Sequence, residues 1–594
     1  MRSAEVQADG EGWVEAAGGG MRSSGPTPGV FPPPESLRPT VYGERHVVSA
    51  GHPLVAQVAF GVLEAGGTAI DAGVAAGLAS AVVQPDMCNL GGIAPIAVRP
   101  AGDDVVQTVA GVGCWGESAT LEAFNARYGN EMPLGPAVGV VPAAVSAYVR
   151  TLQRFGTWTF AACAAPAIAF AREGFALDGR LAESFEIMGR GFGRWPASTA
   201  VYWPRGRPPR AGDRLVQDAL GRTLERLCDA ERSAADRESG LDAAHDAFYR
   251  GEIAAIIARF SSEHGGWLTE QDLARFEAEI TPGISKRFRD WDVWTPTTWC
   301  QGAALLQALA ILDLEPVEEL GHNSAEYVHF VAETIKLAFI DRERYYGDPR
   351  FVDVPLDRLL STAHAEQLRS EIDPASAHPG VGAARGAGSG RLDTTYLATI
   401  DAEGNAFSAM PSDTLDGSPI IPELGLMISP RGVQSRLDPR HPACVSPGKR
   451  PRITPSPAIA LRDASDGACD REIMAFGCPG GDVILQAMLQ GFLNVMAFGM
   501  TAQQAVEAPR FAAFAWPDSF YPHGEVPARV SLEGRFEDTV AEELRRRGHD
   551  VVLWPDFEFD AGGVAITMDA AVPGSHRFLA AGADPRRIGY ALGR

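Results

Sequence analysis

Two adjacent threonines, Thr394 and Thr395, open the run Thr-Thr-Tyr-Leu-Ala-Thr-Ile (394–400), and most of the 594-residue chain lies upstream of them. A threonine hydroxyl is a weak nucleophile unless a base sits beside it. Cutting the chain just before such a threonine supplies that base, because the freed α-amino group lies on the neighbouring carbon. The surrounding residues suit a site at the start of a strand. Positions 394–400 are β-branched and aromatic in character, Asp401-Ala-Glu-Gly-Asn405 reads as a turn, and Ala406-Phe-Ser-Ala-Met410 as the returning strand. A hairpin centred on Glu403 sets Ser412 opposite Thr394 and brings a second hydroxyl within reach of the first. Strand propensity alone also accounts for a Thr-Thr pair, so a chemical reading needs further residues.

Gly480-Gly481 is the next candidate. A short strand, Ile473 to Phe476, runs into Gly477-Cys-Pro-Gly-Gly-Asp482, and a helix from Val483 to Met496 follows. Amides at such a junction have no partner in either element. They suit a developing oxyanion, which fixed donors stabilise only in the transition state. The bland alternative is a tight turn that needs positive φ.

The elements that must position these residues are legible in outline. Val55, Ala59, Val62 and Leu63 form one helical stripe, and Ile70, Val74, Leu78 and Ala81 another, with Gly66-Gly67 between them. Ile93 to Val98 and Ala561 to Thr567 read as strands, Val145 to Phe155 and Ala161 to Glu173 as helices. Asn323-Ser324 starts a helix that runs to Tyr346. Pro374 to Gly390 is rich in Gly, Ala, Ser and Pro. Its Gly-x-Gly spacings follow no strand, open no helix and lack the lysine of a phosphate loop, so it reads as an accessible linker ending just before Thr394. Helices mixed with strands on both sides of that linker indicate a layered α/β body.

Composition narrows the function. A net charge of −23 argues against nucleic acid or an anionic membrane as partner. The eight cysteines form no CxxC pair and the twelve histidines no HExxH, so a metal site and a disulfide framework are both unexpected, and a reducing compartment, the cytoplasm, fits best. Residues 1–36, rich in Gly, Ser, Pro and Glu, read as a disordered extension without the pattern of a secretory signal. The longest apolar stretch, Ala72 to Val83, is too short to span a bilayer.

From about Val47 onward the chain resembles the γ-glutamyltransferase family of N-terminal-nucleophile hydrolases. The matching segments stand in order: His52-Pro-Leu-Val-Ala-Gln57, Gly66-Gly-Thr-Ala-Ile-Asp-Ala72, Pro166 to Phe175, Ala247-Phe-Tyr-Arg-Gly-Glu-Ile-Ala254, Glu333 to Arg342 and Tyr346-Gly-Asp-Pro349. Asp393-Thr-Thr, Gly404-Asn-Ala406, Pro447-Gly-Lys-Arg-Pro451, Pro479-Gly-Gly481 and Asp584-Pro-Arg586 complete the set. The resemblance implies a four-layer αββα sandwich and self-cleavage between Asp393 and Thr394. Past the disordered extension, set at residues 1–40, it also implies a large subunit over 41–393 and a small subunit over 394–594 that stays bound to it. Thr394 would then be nucleophile and, through its new amine, general base. Ser412 falls on a supporting hydroxyl, and Gly480 and Gly481 on the oxyanion glycines. No cofactor or metal is implied, and a homo-oligomer stays open.

The departures bear on substrate. Family members that cleave glutathione grip the glutamyl α-carboxylate with an arginine in the stretch that here reads Ala110-Gly-Val-Gly-Cys-Trp-Gly-Glu117. The acidic residues that hold the α-ammonium are replaced by Ser429-Pro-Arg-Gly-Val-Gln-Ser-Arg436, and an adjacent serine pair by Ile453-Thr454. Pro430-Arg-Gly432, Leu437-Asp-Pro439 and His441-Pro442 are similar instead to the branch of acylases and oxamate amidohydrolase. Arg431, Thr414 and Thr454 are thus the candidate substrate contacts, with Arg431 either binding an acidic group or acting as a loop arginine. Three readings follow: an amidohydrolase acting on a small amide other than glutathione, a γ-glutamyltransferase with a rearranged carboxylate grip, or a non-catalytic homologue that binds.

Overall fold

The strand after Thr394 shows how the layers are laid down. Side chains alternate across a strand. Leu397 packs on one side, in the cluster that contains the helices Pro53–Glu64 and Ala69–Val83, while Ala398 and Ile400 pack on the other, against a second sheet and its helices. The neighbouring strands obey the same rule: Val48 and Ala50 oppose Val47, and Ile96 and Val98 oppose Ala97. Buried on both faces, these strands carry apolar side chains on each.

The computed structural model describes residues 36–380, 394–464, 471–570 and 578–594. Asp393, the stretch before it from residue 381, and residues 1–35 of the N-terminal extension lie outside the described residues. Two seven-stranded sheets, every pairing antiparallel, form the centre. One runs in the order Tyr590–Gly593, His46–Ala50, Leu397–Asp401, Ala406–Ala409, Ile96–Arg99, Gln107–Val109, Ile280–Pro282. The other runs Val41–Gly43, Phe578–Ala583, Ala565–Ala570, Arg471–Gly477, Ala458–Asp463, Trp291–Thr295, Ile284–Phe288. Helices cover both outer faces: Pro53–Glu64, Ala69–Val83 and Ala144–Phe155 on the first sheet, Gly302–Leu312, Ala325–Tyr345 and Val483–Met496 on the second. The result is the expected αββα sandwich.

Local rules explain the elements closest to the site. Helix Ala69–Val83 is buried along all fifteen residues, as an apolar stretch of that length should be inside a protein. Thr68 and Asp71 close a capping box at its start, and Asp71 also accepts the amides of Thr157 and Trp158. Val483–Met496 forms at its expected limits, and Ser324 caps Ala325–Tyr345. Two strand readings shift. The first starts at Ile96 rather than Ile93, because the ladder is interrupted at Ala94-Pro95, where the Ala94 amide turns to Gly111 O, and resumes only as an isolated bridge of Ile93 to Ser412. The last runs Ala565–Ala570 because Gly562, at φ 83°, ends a turn of 3-10 helix just before it.

Candidate active site

The hairpin register is the one anticipated. Leu397 faces Ala409 and Ile400 faces Ala406, and the pairing extends beyond the ladder, where the Thr395 amide donates to Pro411 O at 3.0 Å. The next residues out are Thr394 and Ser412, whose hydroxyl oxygens lie 2.7 Å apart. Both are fully buried. The Thr394 amide donates to Met87 O at 2.9 Å. Thr395 Oγ1 donates to Gln84 Oε1 at 2.9 Å, and Gln84 Nε2 to Gly51 O at 3.2 Å, so the second threonine is a structural anchor.

Thr394 is held at φ 87°, a conformation that a β-branched residue rarely adopts and that typically costs about 1–3 kcal/mol. Asp413, directly after Ser412, sits at φ 99°. Backbone strain therefore flanks both hydroxyls.

Behind Ser412 stands Arg431, buried in a short turn of 3-10 helix, Arg431–Gln434. Its Nη2 donates to Ser412 Oγ, its Nε to Asp413, and its Nη1 to Gln434 Oε1 at 3.2 Å. Asp413 also accepts from Ser429 Oγ at 2.5 Å, and Gln434 Nε2 donates to Thr454 Oγ1 at 3.2 Å. One chain of hydrogen bonds thus links Thr394, Ser412, Arg431, Gln434 and Thr454. Thr414 stands apart from it and donates to Asp416 at 2.6 Å. In the segment lacking the family's arginine, Trp115 is buried and donates to Ser435 Oγ at 3.0 Å.

Gly480 and Gly481 form the link between strand Arg471–Gly477 and helix Val483–Met496, at φ 132° and 59°. Their carbonyls accept the first helical amides, Val483 N and Ile484 N. Among the described residues neither glycine's own amide donates to a protein acceptor, the state a waiting oxyanion donor needs. Their neighbour Pro479 lines the same cavity as Thr394. The turn is braced from below. Asp482 Oδ1 accepts Arg342 Nη1 at 2.5 Å and Ser519 Oγ at 2.7 Å, and Gln301 spans Arg342 and the Gly481 carbonyl.

Comparison with known proteins decides the lineage. A model of the gamma-glutamyltranspeptidase family matches residues 55–594. The chain belongs to that family. A glutathione hydrolase-like YwrD proenzyme of Bacillus subtilis is 29% identical over 94% of this chain and all of its own. The oxamate amidohydrolase proenzyme of Klebsiella pneumoniae is 31% identical over 92% of this chain and 97% of its own. The crystal structure of the cephalosporin acylase from Bacillus halodurans superposes with a TM-score of 0.82, at 30% identity, over 96% of this chain and 99% of its own. The family and these relatives make the chain an amide-cleaving enzyme of the hydrolase and acyltransferase type.

His329, Glu333 and His549 are buried with ligand atoms within 4.8 Å of one another. They fit a metal poorly. Lys336 Nζ donates to Glu333 Oε1 at 2.7 Å, where a cation would have to bind, and the two imidazoles already share a hydrogen bond at 2.8 Å. None of the three lines the cavity at Thr394. Among the described residues no helix is long and apolar enough to cross a membrane.

Reading the sequence missed Asp413, Gln434, Gln84, Gln301, Arg342 and Asp482. Arg342 and Asp482 carried a signal, since the first ends one of the matching segments and the second follows Gly480-Gly481 directly. Gln84 and Gln301 carried none, because a lone glutamine in an apolar stretch looks the same whether or not it braces a turn.

Proposed function

We propose that the chain is a self-processing amidohydrolase whose nucleophile is Thr394 and whose substrate is a small amide other than glutathione. The observation that carries this reading is the 2.7 Å contact between Thr394 and Ser412 at a strained backbone position. In processing, Thr394 Oγ attacks the carbonyl carbon of the preceding residue, and the acyl group moves from nitrogen to oxygen. Water then cleaves the ester, leaving residues up to 393 with a carboxylate and Thr394 with a free amine. Strain at φ 87° favours this step because it is released when the peptide bond breaks.

In turnover the new amine takes the hydroxyl proton as Thr394 Oγ adds to the substrate carbonyl. The oxyanion falls to the amides of Gly480 and Gly481. Collapse expels the leaving amine, which takes the proton, and leaves an acyl-threonine ester. Water repeats the cycle to release the acid. Ser412 donates to the Thr394 oxygen, and Arg431, held by Asp413, keeps the Ser412 hydroxyl turned that way. Arg431 is then a positioning residue; Thr414 and Thr454 remain candidate substrate contacts. Two features support a substrate other than glutathione: no arginine lies between Ala110 and Glu117, and no acidic residue between Ser429 and Arg436. Losing a charged partner typically costs about 2–5 kcal/mol, or roughly 30- to several-thousand-fold.

The test is direct. Purified protein should run as two fragments, the smaller reading Thr-Thr-Tyr-Leu from its amino terminus, and Thr394→Ala should stay a single inactive chain. A processed Thr394→Ala variant, or saturable micromolar turnover of glutathione by wild type, would refute the reading.

A further inference from the structure

The cavity that holds Thr394 is also lined by two arginines, Arg180 and Arg587. Arg587 stands next to Arg586, yet the two are treated very differently. Arg586 is surrounded by acceptors: both oxygens of Glu533, both of Asp584, and the carbonyls of Val506 and Ala508. Arg587 makes two long contacts, Nη1 to the Met87 sulfur at 3.6 Å and Nη2 to Phe559 O at 3.5 Å, and its buried Nε has no hydrogen-bond partner. Arg180 reaches Glu183 with Nη1 at 2.8 Å, while its own buried Nε is also without a partner. Both guanidinium groups lie over the ring of Phe559, at 3.8 Å and 3.9 Å from its centre.

The nearby acids are spoken for. Asp584 is bound by Arg510 and Arg586. Asp178 caps the helix Gly179–Phe192 and pairs with His52 at 3.3 Å. Asp86 is pushed up to about 6 by burial, and Asp560, raised by burial and by Glu558, feels the charges of Arg587 and Arg180 without a hydrogen bond to either among the described residues. Desolvation also lowers the pKa of Arg587, although the charges of Asp560 and Asp584 oppose the shift, the mark of a cation stripped of water. A planar guanidinium with open donors, backed by an aromatic ring, suits one ligand chemistry best: a carboxylate taken by two parallel hydrogen bonds.

We propose that Arg587, assisted by Arg180, binds a carboxylate carried by the amide substrate beside Thr394. The assignment rests on the reading of that residue as nucleophile. It divides the arginines between two tasks: Arg431, paired with Asp413, serves the hydroxyls, and Arg587 selects acidic amides. Phe559 packs its ring against both guanidinium groups.

Calorimetric titration of processed wild-type protein with glutarate, and with neutral glutaramide as control, tests binding without turnover. Glutarate should bind measurably tighter than glutaramide. Arg587→Ala should weaken glutarate by at least about 30-fold, the low end for a charged pair, and Arg180→Gln should weaken it too, with glutaramide unchanged. Normal self-processing reports that each variant has folded; if Arg587→Ala fails to process, Arg180→Gln decides by the same criterion. Equal binding of the two ligands by wild type, or glutarate affinity unmoved in a folded variant, overturns the proposal. A second arm compares kcat/KM for N-succinyl- and N-butyryl-4-nitroanilide. Arg587→Ala should abolish the wild-type preference for the succinyl compound, and a preference retained in the variant also overturns it. Failure of wild type to cleave either anilide would count against Thr394 as nucleophile, while the titration would still decide the role of Arg587.

Discussion

At the scale of single residues, the proposed mechanism divides the work of making Thr394 react between a hydroxyl pair and an arginine. Ser412 lies between Thr394 and Arg431, accepting from the guanidinium and sharing a hydrogen bond with the Thr394 hydroxyl. Ser412→Ala removes one hydrogen bond to an oxygen that gains charge. A bond of that kind is worth about 1.5–3 kcal/mol, so kcat should fall roughly 10- to 150-fold with the fold intact; an unchanged kcat would make Ser412 a bystander. Arg431 behaves otherwise. Its partner Asp413 is equally buried, and stripping the cation from a buried pair typically destabilises by about 3–5 kcal/mol. Arg431→Ala should therefore lower unfolding stability by about that amount as well as slow turnover, and denaturant unfolding separates the two effects. A variant as stable as wild type would remove the argument that Asp413 depends on it.

At the scale of elements, the glycine turn depends on backbone shape and on what braces it. At φ 132°, Gly480 occupies a region that side-chain-bearing residues avoid, although nothing lies closer than 3.7 Å to a Cβ built there. Gly480→Ala should thus twist the turn rather than clash. Loss of one oxyanion donor predicts a fall of about 10²–10³-fold in kcat with binding largely kept, checked by comparing kcat with KM. The brace is sensitive to pH. Burial first, and then the charge of Asp482, push Asp518 up to about 7. A carboxyl raised on folding holds more protons folded than unfolded, so its contribution is withdrawn as pH climbs from about 4 to about 7. Stability should decline over that interval, and Asp518→Asn should flatten the decline; denaturant melts at a series of pH values measure both slopes, and equal slopes would reject the assignment. What the sequence made legible follows the same division. The Thr394 hairpin, the glycine turn and the helix after it could be read because turn residues and strand alternation are local. The strand His46–Ala50 could not, since it is buried on both faces, shows no polar alternation, and its partners Leu397–Asp401 and Tyr590–Gly593 lie hundreds of residues away. The Arg342 brace was overlooked although Arg342 ends a matching segment, because an arginine late in a charged helix ordinarily faces water.

At the scale of the molecule, the position of Thr394 in the chain matters less than the way the two sides of it are woven. Strand Leu397–Asp401 lies between His46–Ala50, from before the proposed cut, and Ala406–Ala409, from after it, and the latter then pairs with Ile96–Arg99. In the other sheet, Ala458–Asp463 pairs with Trp291–Thr295, and Phe578–Ala583 with Val41–Gly43. His46–Ala50 also pairs with Tyr590–Gly593, so among the described residues five ladders of backbone hydrogen bonds join the two sides, and both apolar clusters draw on both. Separating the fragments would expose unpaired strand edges in both sheets together with the core between them, a cost comparable to unfolding the protein. Cleaved protein should accordingly elute from a sizing column as a single species containing both fragments. The two should part only at the denaturant concentration that also abolishes the near-ultraviolet circular dichroism of the buried tryptophans. Fragments that separate below that transition, with the spectrum intact, would mean that the sheets are not shared across the cut in the processed enzyme.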